Sequence, residues 1–238
     1  MNKALAIAHK ELAACFTSAM AYIVLVLASG IFSIFFFMII DQDREAVLKS
    51  VFQAMEFMLL FIVPLLTMRT FAEERSSGTM ELLRTAPLRT VSIVLGKYAG
   101  ILAFYTLLIA LTFVYYGIIE YFGTPDRGVV ASGYVGIWLE GSFFVAVGVM
   151  ASSWTANQLV AAITAYGILF LLYFSSAFVK YFSGPAGEVF RQIATAGHLE
   201  NFSAGLVTAG DLVYYPAGIL LCLVLTLLSL EERLWHQE

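Results

Sequence analysis

The chain has 238 residues, of which 61% are hydrophobic and only 13% charged, with a formal net charge of -4 and a mean hydropathy of +0.86. That apolar excess is too high for an ordinary soluble core of this length, so lipid is the solvent. The acidic balance and the lack of any basic run argue against a nucleic-acid partner, and Cys15 and Cys222, far apart and in or near apolar segments, read as small buried residues.

In chain order, Asn2 to Phe16 is too polar to span. It places Leu5, Ala8, Leu12 and Phe16 on one helical side and Lys3 and Lys10 on the other, which suits a helix lying in the inner interface. Ala19 to Ile40 is long enough to cross the hydrocarbon layer and ends without a small-residue cleavage pattern, so it reads as a first span and not a leader. A charged hairpin loop, Asp41 to Ser50, leads into a second span, Val51 to Met68, which carries Glu56 and is expected to bend at Pro64.

A polar island follows, Arg69 to Pro87, with sequence RTFAEERSSGTMELLRTAP. Within it the spacing predicts a short helix over Thr79 to Thr85, with Gly78 as N-cap, Glu81 at the third helical position and Pro87 blocking continuation. On that helix Met80 and Leu83 share a side flanked by Leu82, while Glu81 and Arg84 can pair. A small amphipathic helix on a polar loop suits the groove of a partner protein.

The third span, Val91 to Ile119, has Lys97 at its inner edge and offers Gly96-x-x-x-Gly100 as a surface for close approach by a neighbouring helix. Glu120 to Ala131 reads as turn chemistry around Gly123, Pro125 and Gly128. Gly133 to Ser153, carrying Glu140, is the fourth span. A tight turn from Trp154 to Gln158 precedes the fifth, Leu159 to Val179. Lys180 to Asp211 is mixed and polar, with Pro185 and Gly187 as breakers and two short helices, 188–194 and 198–208; Leu212 to Leu230 is the sixth span, with a charged tail after it. The expected fold is thus a single all-α polytopic membrane domain.

With the N-terminus inside, Lys3, Lys10, Arg69, Arg75, Arg84, Arg89, Lys97 and Arg233 are inner, and Arg44, Lys49, Arg127, Lys180 and Arg191 are outer. That bias favours both termini in the cytoplasm, places the polar island there, and puts 180–211 outside. Glu56 and Glu140 are the acids clearly within spans, at similar depth from the outer ends. They are candidates for a substrate path, or packing groups held neutral or hydrogen-bonded. His9, His198 and His236 are isolated, lack metal-ligand spacing, and read as interfacial or solvated. No phosphate-binding loop is present, because Gly96-Lys97 lacks the upstream glycine and Tyr98 stands where Ser or Thr is needed. Nor is there a G-x-S-x-G or H-E-x-x-H hydrolase pattern.

The run Glu73-Glu74-Arg75, Gly78-Thr79, Glu81-Leu82-Leu83 and Pro87, followed by Gly96-Lys97, resembles the permeases of ABC-2 type transporters. Asn201-Phe202-Ser203-x-Gly205 and Asp211 to Tyr214 resemble the stretch before the last span in that family, particularly in the gliding-motility permeases and their nitrous-oxide-cluster relatives. The resemblance implies that Glu73, Glu74, Arg75, Gly78, Thr79, Met80, Glu81, Leu82, Leu83 and Pro87 form the element that couples to a cytoplasmic ATPase. It implies export, a second permease chain, identical or similar, and room for an accessory extracytoplasmic protein. ATP and Mg belong to two copies of the ATPase, so this chain binds no cofactor, and the setting is a bacterial or archaeal cytoplasmic membrane. Two other classes remain open on the residues alone. One is a membrane anchor whose loop recruits a soluble partner; the other is a secondary transporter relaying protons through Glu56 and Glu140.

Overall fold

The computed structural model describes residues 3–43, 48–79, 89–179, 181 and 184–235. Among them the regular structure is entirely helical, and six helical segments are long and apolar enough to cross a membrane. In chain order the helices are α1 (Lys3–Thr17), α2 (Ala19–Asp43), α3 (Lys49–Thr67), α4 (Ala72–Ser76), α5 (Thr90–Leu111) and α6 (Phe113–Phe122). Then come α7 (Arg127–Ser153), α8 (Gln158–Phe178), α9 (Pro185–Ile193), α10 (Thr195–Ser203) and α11 (Ala209–Trp235).

Side chains that cap helices set several of these boundaries. Asp126 Oδ1 accepts the amides of Gly128 at 2.8 Å and Val129 at 3.4 Å, so α7 starts at Arg127, six residues before the expected Gly133. Part of what reads as a loop is therefore helix. Asn157 Oδ1 does the same for Leu159 and Val160 at the head of α8. The third span is not one helix: Thr112 separates α5 from α6, its hydroxyl bonding back to Ile109 O while Tyr134 OH donates to its carbonyl at 2.8 Å. The second span passes through Pro64 as helix and ends at Thr67. Pro185 is no breaker, since it occupies the first turn of α9, where its missing N–H costs nothing. The two short helices accordingly lie at 185–193 and 195–203, earlier than their predicted positions.

Helix α7 is the centre of the bundle: 83% of its membrane window is buried, against 22% for α2 and for α11. It touches α3, α5, α8, α10 and α11. Small residues make this possible. A Cβ added at Gly141 lies 2.1 Å from the Tyr105 ring, and one at Gly148 lies 2.0 Å from Thr67 Oγ1. Tyr105 then reaches across to donate to Ile137 O at 2.6 Å.

The Gly96 and Gly100 surface is occupied within the chain. Helix α1 lies along α5 so closely that a Cβ at Gly96 meets Ile7 Cβ at 2.7 Å and one at Gly100 meets Glu11 Cβ at 2.6 Å. The face of α1 so used includes Ala4, Ile7, Ala8 and Glu11, while Leu5 is left exposed. The missing side chains at Gly96 and Gly100 are what allow this close approach of the two helices.

Candidate functional site

The polar island is anchored at the point where α3 stops. Ser152, fully buried near the end of α7, accepts the amides of Phe71 at 2.9 Å and Ala72 at 3.1 Å and donates to Met68 O at 3.2 Å. One hydroxyl thus satisfies the backbone of the turn between α3 and α4. The short α4 presents Glu73, Glu74 and Arg75 in its single turn. Gly78 has φ +71° and its amide bonds to Arg75 O, so it is a left-handed residue that closes α4, and Thr79 directly after it is helical. Thr79 is exposed and bonds back to Glu74 O. Met80, Glu81, Leu82, Leu83 and Pro87, with the helix expected over 79–85 beyond Thr79, lie outside the described residues.

Lys97 is the hub of this end. It is 1% exposed, and its Nζ meets Glu74 Oε1 at 2.8 Å, Glu11 Oε1 at 2.9 Å and Thr70 O at 2.9 Å, above the Phe71 ring. An ammonium has three donors, and here each has an acceptor. One side chain therefore joins α1, the turn, α4 and α5, where its sequence position suggested only an edge residue. Alongside, Arg69 forms a two-pronged pair with Glu73 at 2.7 and 3.0 Å and donates to Ser18 Oγ at 3.0 Å, tying α4 to the junction of α1 and α2. A cavity of about 600 Å³ opens here, with Lys10, Glu11, Arg69 and Glu73 on one wall and Val24, Leu65 and Leu66 on another. Cys15 lines it; burial pushes its thiol up from the usual range, the Glu11 carboxylate adds to this, and Arg69 partly offsets it.

At the opposite end of α3, Glu56 and Glu140 come together from α3 and α7. Glu56 is 3% exposed and Glu140 is fully buried; the two carboxyls face each other, with Thr195 of α10 beside Glu140. Above them Lys49 holds Glu200 of α10 at 3.1 Å. His198, expected to be interfacial or solvated, is half-buried and bonded. Its Nδ1 lies 2.6 Å from Asp211 Oδ1, Asp211 also accepts from Thr208 and Asn201, and the ring stacks on Tyr214 at 4.0 Å. The Asp211–Tyr214 patch held the signal, because an acid at the head of a span needs nearby donors.

No curated protein matches the chain. The family model described as ABC-2 family transporter protein matches residues 41–196, a stretch that includes α4, both facing acids, Lys97 and all of α7. That match takes in well over half of the chain, and with six spanning segments it means that this multi-pass membrane protein belongs to the ABC-2 family, as the membrane component of an ABC transporter.

Proposed function

We propose that the chain is the pathway-forming permease subunit of an ABC exporter, paired with an identical or similar permease and driven by two copies of a separate cytoplasmic ATPase. Both termini and the 69–87 segment are cytoplasmic, and 180–211 lies outside. ATP and Mg act on the ATPase. Its closure presses on 69–87, and the bundle responds by rigid-body repacking between inward- and outward-facing arrangements.

The observation that carries this reading is the Lys97 junction. Glu74 of the segment and Glu11 of α1 hold the same buried ammonium on α5, so displacement of α4 is transmitted to α1 and α5 through charge-assisted bonds instead of a loose loop. The test is Glu73→Lys combined with Glu81→Lys in the assembled transporter. Membrane insertion is expected to be normal while stimulation of ATP hydrolysis falls to the basal rate; unchanged stimulation rejects the coupling role. Orientation is tested separately with Ser76→Cys and Ser77→Cys, and labelling of both only from outside the cell overturns the topology.

A further inference from the structure

Most buried polar groups in a folded protein have partners, yet unpartnered ones concentrate around Glu56 and Glu140. Glu56 Oε1, both carboxyl oxygens of Glu140, Thr195 Oγ1 and Tyr215 OH are all buried without a hydrogen-bond partner among the described residues. Thr195 and Tyr215 are themselves 0% exposed; Thr195 faces Glu140, and Tyr215 feels the charge of both acids. The four residues come from α3, α7, α10 and α11, so they converge by folding and not by sequence adjacency.

The chemistry of this set selects its ligand. Ionised carboxylates only accept hydrogen bonds, so two of them facing one another have no bond to make. Two bare negative charges this close in a low-dielectric interior also repel strongly. The charged and titratable groups that reach the pair are Glu200 from α10 and the phenols Tyr105, Tyr173, Tyr214 and Tyr215 from α5, α8 and α11. None of these supplies a positive charge, and Lys49 is engaged with Glu200. Among the described residues no third His, Cys, Asp or Glu joins the pair to make a metal site. A proton on one carboxyl removes a charge and creates the donor that the other lacks.

We infer that Glu56 and Glu140 form a proton-binding site, in which the pair holds one exchangeable proton and the hydroxyls of Thr195 and Tyr215 complete its hydrogen bonding. The proton is exchanged with water on the α10 side, the nearer end of α3. Because Thr195 opens α10, occupancy of the site holds α10 down on α3 and α7. Loss of the proton leaves two like charges under it and loosens it. This inference does not depend on the coupling role of residues 69–87.

Infrared spectroscopy of the full chain in lipid nanodiscs tests it, comparing wild type with Glu56→Gln, Glu140→Gln and the double variant, each confirmed monodisperse. Wild type is expected to show one protonated carboxyl per chain at neutral pH that the double variant lacks. The melting temperature of wild type is expected to fall as pH is raised from about 6 to about 9, while that of the double variant stays level. If wild type carries no more protonated carboxyl than the double variant, the site is not a proton site and the inference fails. It also fails if exchanging sodium for choline shifts the wild-type melt but not that of the double variant, since a metal ion is then the occupant.

Discussion

The molecule buries charge at both ends of α3, and the two ends treat it in opposite ways. Around Lys97 the ammonium finds three acceptors, two of them glutamate side chains, and every N–H is used. Around Glu56 and Glu140 two carboxyls meet with no cation beside them and five oxygens unpartnered among the described residues. A fully matched buried ion is costly to disturb because removing either partner strands the other. A mismatched pair of acids is held by something that can come and go. The first arrangement therefore suits transmission of force and the second suits response to conditions.

Removing the cation is the severest way to break this contrast. Lys97→Met leaves Glu11 and Glu74 facing without compensation and is expected to destabilise the chain by about 3–5 kcal/mol, read by thermal unfolding in lipid. Adding Glu11→Gln and Glu74→Gln should recover much of that loss; no recovery would show that packing of the lysine stem, not charge, holds the junction. Next in size is Gly100→Leu, which drives a side chain into Glu11 and Ala8. Overpacking of this kind costs about 1–3 kcal/mol, and hydrogen exchange in 3–17 is expected to rise as α1 leaves α5. At the other end Glu140→Gln should cost less than about 1 kcal/mol, because the amide keeps the shape of the carboxyl and supplies an N–H donor where the pair otherwise uses its shared proton. A loss as large as that of Lys97→Met would erase the distinction between the two ends. The smallest effect concerns Cys15. Its raised thiol should alkylate more slowly at neutral pH than an exposed cysteine, and Glu11→Gln should speed it by lowering the thiol toward its usual range.

Hydropathy and charge made the six spans and the polar island legible, since a run of apolar residues bounded by Arg, Lys and Glu is a local property. Glu56 and Glu140 stood out for the same reason, as acids inside apolar runs. Their meeting was not legible, because it depends on the depth and rotation of helices far apart in the chain. The partners of Lys97 were not legible either, for Glu11 and Glu74 are distant in sequence and nothing local announces them. Other signals were present but read differently. Asp126 before Arg127 is a helix start, overshadowed by the neighbouring Pro125 and Gly128. The density of Gly, Ala and Ser from Gly133 to Ser153 marks the segment that other helices press against, and it makes the most buried span one of the least hydrophobic.

That crowding has a further consequence. With Tyr105 filling the notch at Gly141 and Thr67 the one at Gly148, α7 is keyed to its neighbours like a shaft in fitted bearings, unable to turn or slide without collision. Shape change in this bundle must then be borne by the rim, where α2 and α11 are mostly exposed. Spectroscopic probes placed there will register movement that probes on the axle never see.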